Sequence, residues 1–172
     1  MTGSESELSR IVKLHQIGER PVELEASKAE LAALAARFGL GAVHRLKAEV
    51  TLSADGAIVT AGGRLLADIL QNCAVSGEEF PVHVDELLAF RFVPETHAPS
   101  EDEVELQADD CDEIFYAGES FDLGEAVAQG LGLAIDPFAR GPNAEAFRQQ
   151  AGILDEDAPS GPFAALAALK KN

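Results

Sequence analysis

The chain has 172 residues, with thirty acids against thirteen bases for a formal charge of -17, and 47% hydrophobic residues with no Trp and one Tyr. A chain of this length makes about one domain and can take roughly 70% of its unfolded surface out of water, so an aliphatic core with nine Phe as its large pieces is expected without staples. The charge opposes the approach of naked RNA or DNA, whose binding relies on Lys and Arg replacing phosphate counterions, and no apolar run nears the ~20 residues that span a bilayer.

The start, MTGSESELSR, has neither the basic region nor the apolar core of a signal peptide, so a cytoplasmic location is expected. Pro21 to Ala26 (PVELEA) alternates and predicts a short strand; Ser27 to Phe38 (SKAELAALAARF) predicts a helix. Ser27 with Glu30 three residues on is a capping box, Leu31, Leu34, Ala35 and Phe38 share one face, and Gly39 and Gly41 supply the stop. From Val43 to Leu52 the period becomes two, with Leu46, Ala48, Val50 and Leu52 opposite Arg45, Lys47, Glu49 and Thr51, the mark of a half-buried strand. Ser53 to Gly56 (SADG) reads as a turn. Ala57 to Asn72 then reads as one strand bent near Gly62 and Gly63, or as two with a bulge there. QNCAVSGEEF, residues 71–80, is the loop of a further hairpin, because Phe80, Val82 and Val84 alternate with Pro81, His83 and Asp85, and Leu88, Phe90 and Phe92 resume the apolar face.

Pro94 and Pro99 break this pattern, and Glu101 to Glu113 (EDEVELQADDCDE) holds eight acids and no base. Such a composition buries too little apolar area to offset ordering entropy, so a mobile acidic loop is expected at about 95–113. Order returns at Ile114 to Tyr116. A second helix over Asp122 to Ile135 (DLGEAVAQGLGLAI) is capped by Asp122, with Glu125 closing the box and Leu123, Ala126, Val127, Leu131 and Ala134 as its buried stripe. Beyond the linker DEDAPSGP, the segment PFAALAALKK forms a short helix with Phe163, Leu166, Ala167 and Leu169 on one face. The fold class is therefore α+β: an antiparallel sheet that could curl toward a barrel, two packed helices, and one domain over 1–154 followed by a tail over 155–172.

The sequence holds no phosphate loop, metalloprotease helix, nucleophile elbow or dinucleotide fingerprint, and His15, His44, His83 and His97 lack metal or triad spacing. The acids around Cys111 lack the Gly and spacing of a calcium loop. A structural zinc site wants four Cys or His ligands, and Cys73 and Cys111 are the two cysteines of the chain, so no cofactor is expected.

Three stretches, CAVSGEEFPVHV (73–84), FDLGEAVAQGLGLAIDPFARGP (121–142) and the terminal GPFAALAALKKN, resemble in order and distance the bacterial large-ribosomal-RNA-subunit accumulation proteins, the YceD-like family, which also has plant organellar relatives. The resemblance runs from about residue 10 to 172. It aligns Cys73 with the first cysteine of a family Cys-x-x-Cys hairpin and puts Ser76 where many members have the second; ARGPNAEAF lacks the later cysteines some members carry. Metal binding is therefore not carried over.

The resemblance implies a role in accumulation, processing or stability of large-subunit ribosomal RNA, with no catalytic residue to map. Joined to the charge, it leads to an expected non-catalytic ribosome-biogenesis factor that binds a basic large-subunit ribosomal protein or assembly intermediate. Glu101, Asp102, Glu103, Glu105, Asp109, Asp110, Asp112 and Glu113 would supply attraction, and Phe163, Leu166 and Leu169 a docking face. Cys73 and Arg140 are weaker candidates, Arg140 because capping the second helix's carbonyls explains it equally well. Rival readings are direct RNA contact through Arg45, Lys47 and Arg64, an RNA-processing enzyme, and an acidic adaptor without ribosomal link. A perturbed cleft would favour the enzyme, a basic face the RNA reading, and an exposed apolar groove beside the acidic loop the protein partner.

Overall fold

A computed structural model describes residues 6–97 and 112–152. In chain order these form strands β1 (Ile11–Lys13) and β2 (Val22–Glu25), helix α1 (Lys28–Phe38), strands β3 (Ala42–Asp55), β4 (Ile58–Asn72), β5 (Glu79–Pro94), β6 (Asp112–Tyr116) and β7 (Ser120–Asp122), and helices α2 (Leu123–Ala134) and α3 (Ala144–Gln150). The chain is α+β, and it divides into two compact units: residues up to 71 with 81–136, and residues 72–80 with those from 137 onward. No helix among the described residues is long and apolar enough to cross a membrane.

In the first unit a five-stranded sheet runs in the order β2-β3-β4-β5-β6, beside a two-stranded pair of β1 and β7. The larger sheet stays open and does not curl into a barrel. Nor is it wholly antiparallel, since β6 lies parallel to β5 with Phe90 opposite Asp112 and Pro94 opposite Tyr116. Asp112 and Glu113, expected in the acidic loop, instead open this strand, because pairing with β5 satisfies backbone groups that local composition cannot see.

Period two governs β3 and β4, whose alternate residues Leu46, Ala48, Val50 and Leu52, and Val59, Ala61, Leu65, Ala67 and Ile69, are buried. The turn between them is Gly56 and Ala57, not Ser53 to Gly56, since β3 runs on to Asp55 and Gly56 takes the left-handed conformation that the tight turn needs (φ 60°). β4 is a single strand with no bulge at its glycines; the one register shift against β3 lies between Val43 and Arg45. Gly63 sits opposite Val50, where a Cβ would lie 2.1 Å from the Glu49 carbonyl oxygen, so a side chain there would force the two strands apart.

α1 begins as its sequence predicts, with Ser27 Oγ accepting from the Glu30 N–H and Glu30 accepting from the Ser27 N–H. It ends on Gly39 in the left-handed region (φ 64°). In α2 Asp122 caps, taking the Gly124 and Glu125 N–H groups, but Glu125 does not close a box: its carboxylate turns to Arg37 of α1. That ion pair offers a charged partner, which outcompetes a neutral backbone donor.

The segment Ser6 to Lys13 lies across these helices as a strap. Leu8 is fully buried, the Arg10 carbonyl accepts from the Leu123 N–H at 3.0 Å, and a Cβ on Gly124 would meet the Leu8 carbonyl oxygen at 2.5 Å. Two ionic knots fasten it. Arg10 grips Glu30 with both guanidinium nitrogens (2.6 and 3.1 Å), and Arg37 holds Glu7 at 2.8 Å and Glu125 at 2.8 and 2.9 Å, while Ser6 Oγ donates to Glu125 at 2.6 Å. The hydrogen bond from Arg10 lowers the Glu30 carboxyl to about 2, and that from Arg37 lowers Glu125 to about 2. Under the strap, Phe92 stacks on Phe121 with ring centroids 4.0 Å apart, and Tyr116 donates its hydroxyl hydrogen to the Ala57 carbonyl.

The second unit is the hairpin tip with α3. The Cys73 N–H donates to the Glu78 carbonyl, the Gly77 N–H returns to the Cys73 carbonyl, and the Ala74 N–H reaches the Ala139 carbonyl. Asn143 Nδ2 donates to Glu78, and Gly141 packs on Phe80 and Cys73.

Candidate functional site

Each strand alternates its side chains between two faces, so the polar set of β3, Arg45 and Lys47, shares the outer face of the sheet with polar residues of its neighbours. There every junction between strands carries one ion pair. Lys47 of β3 meets Glu25 of β2 at 3.0 Å, Arg45 of β3 meets Asp68 of β4 at 2.8 Å, Arg64 of β4 meets Asp85 of β5 at 2.6 Å, and Arg91 of β5 meets Glu113 of β6 at 3.3 Å. Three of the four join residues directly opposite in register, where cross-strand pairing is most favourable. His83 Nδ1 adds a 2.7 Å contact to the other oxygen of Asp68, and this contact, with Arg45 behind it, pulls the Asp68 carboxyl below its ordinary range. Asp85 is likewise pulled down by its hydrogen bond from Arg64.

The effect on binding is direct. The strip Arg45, Lys47 and Arg64, the bases from which RNA contact was the rival expectation, spends its charge on acids of adjacent strands. To bind a phosphate each of these bases would first have to part from a carboxylate.

The cysteine turn is a different environment. Cys73 is buried, and its Sγ accepts from the Val75 and Ser76 N–H groups at 3.4 Å each. Hydrogen bonds from the Ser76 side chain and N–H, joined by the N–H groups of Gly141 and Val75, bring the thiol down to about 6. Ser76 thus serves the sulfur as a donor from the position a second cysteine would occupy. Among the described residues no group of three or more His, Cys, Asp or Glu side chains stands close enough to hold a metal ion. Arg140 is exposed and has no hydrogen bond or ion pair with the described residues, so the helix-capping role is not seen for it.

Of the residues expected to bind a partner, Asp112 and Glu113 lie on β6, where Glu113 holds Arg91. Glu101, Asp102, Glu103, Glu105, Asp109, Asp110, Phe163, Leu166 and Leu169 lie outside the described residues. Sequence reasoning missed Leu87 and Leu133, which are large, apolar and 84% and 76% exposed. The signal available was Leu87 itself, an apolar residue among the outward positions of a strand that otherwise alternates.

A family model described as large ribosomal RNA subunit accumulation protein YceD matches residues 61–170, a stretch that holds most of β4 and all of β5, the cysteine turn, α2 and α3. No curated protein and no solved structure matches the chain.

Proposed function

The chain belongs to the large ribosomal RNA subunit accumulation protein family, YceD, and on that premise we propose that it is a non-catalytic ribosome-biogenesis factor that binds a basic large-subunit ribosomal protein or assembly intermediate. The observation that carries this reading is the outer sheet face, whose bases are each committed to an acid on the neighbouring strand. With a net charge of -17 and its sheet arginines neutralised, the protein repels phosphate and attracts lysine- and arginine-rich surfaces. Holding such a partner apart from aggregation or non-specific RNA contact would raise the yield of large subunits, and the RNA packed in them would accumulate as a consequence. The reading requires no bond to be made or broken by this chain.

The test is binding of the full chain to individually purified large-subunit ribosomal proteins over a salt series. Selective binding to at least one, weakening as salt rises, is the expected result. Binding to protein-free large-subunit ribosomal RNA, with none to the proteins, would overturn the reading.

A further inference from the structure

Where β5 passes the C-terminal end of α2, a hollow of about 160 Å³ opens between the two elements and the first residue of β6. Its size is informative. Pockets for cofactors and drug-sized ligands run to ~300–1,000 Å³, whereas ~150 Å³ accommodates a benzene ring. This one takes a single leucine- or phenylalanine-sized group. Its floor is firm because Gly130 lets α2 press against β5, where a Cβ would meet the buried Leu88 side chain at 2.7 Å. Leu133, exposed, stands at the α2 rim of this opening, and Leu88 and Phe90 line it from β5, whereas Leu87 projects from the outer face with Asp85 and Arg91. Lone exposed leucines are ordinary on a protein surface. One at the rim of a side-chain-sized hollow lined by Leu88, Phe90 and Ala134, with Glu86 and Asp112 at its edge, makes a small docking site of mixed character.

Charge narrows the occupant. Glu86 and Asp112 line the hollow, and neither holds a base or a hydrogen bond among the described residues, in contrast to Asp68, Asp85 and Glu113 on the same sheet. A second copy of this chain is a poor fit, since a two-fold contact would bring two acidic rims, each on a chain of charge -17, against one another. We propose that this groove seats a leucine- or phenylalanine-sized side chain of a basic protein segment, whose flanking lysines or arginines meet Glu86 and Asp112. The inference rests on the proposed function and adds to it the place and chemistry of contact.

The probe is the synthetic peptide Lys-Lys-Leu-Lys-Lys-Leu-Lys-Lys, with an all-lysine peptide of equal length as its control, titrated into the full chain labelled at its leucine methyls. Saturable shifts at Leu88 and Leu133 are expected, with binding roughly tenfold tighter than the control and roughly tenfold weaker in Leu133→Lys, the loss typical of a central anchor. Glu86→Lys and Asp112→Lys should flatten the salt dependence. Ile11→Lys, at another exposed apolar residue, should leave binding unchanged. Equal affinity for the two peptides, or shifts confined to other leucines, would overturn the inference. The same variants are run against the large-subunit ribosomal proteins. A protein that binds wild type and Leu133→Lys alike overturns the groove while leaving the proposed function standing. Peptide seated in the groove with no ribosomal protein bound upholds the groove's chemistry and overturns the function.

Discussion

The N-terminal strap and the outer face of the sheet both pair arginine with carboxylate, and they use the pairing differently. At the knots beside the strap Glu30 of α1 and Glu125 of α2 are 21% and 27% exposed, and each meets a bidentate guanidinium that ties one segment to another far off in sequence. On the sheet the partners of Arg64–Asp85 are 61% and 39% exposed, and the strands they join are already held by a backbone ladder. Solvent and salt screen the second set far more than the first. The strap pairs therefore hold the fold, while the sheet pairs decide what charge the surface offers a partner.

The largest effect expected from breaking this contrast is Leu8→Ala, which empties a fully buried site beneath the strap and should cost about 3 kcal/mol in denaturant unfolding. Gly124→Ala follows, because its methyl would fall within 2.5 Å of the Leu8 carbonyl and 2.7 Å of the Arg10 nitrogen; about 2 kcal/mol is expected, measured the same way. Next is pH. Glu30 and Glu125 are held near 2 in the folded protein against an ordinary 4.5, so the stability they supply is complete above about 4.5 and is lost as pH falls toward 2. Thermal melts across that window should show the loss, and Glu125→Gln should reduce its slope; an unchanged slope would mean that the strap knot carries no weight. The smallest effect belongs to the sheet. Arg64→Gln should leave the melting temperature at neutral pH unchanged, while the same replacement of Arg37 should lower it measurably.

Much of this fold was legible locally. The Ser27–Glu30 capping box, the Gly39 stop, the period-two run from Leu46 to Leu52 and the Asp122 cap depend on residues at most a few positions apart, and each stands where the sequence placed it. The cysteine turn was legible as a hairpin, though not the use of Ser76 as a donor to sulfur. The features that went unread join distant positions. They include the β1–β7 pair, the parallel alignment of β6, the capture of Glu125 by Arg37, and the lacing of Arg45, Lys47 and Arg64 to acids on adjacent strands. The candidate groove is of the same kind, since Leu88 and Leu133 line one hollow only because Gly130 brings α2 onto β5.

The sequence by itself determined the acidic charge, the family resemblance, the helix ends and the faces of the long strands. These are sums over composition or interactions within one turn or one pleat, and they need no partner to be defined. Tertiary structure alone decided which acids are spent on bases and which, at the groove, meet no base among the described residues, because an ion pair across strands depends on register and strand order, and those are set by how the whole core packs.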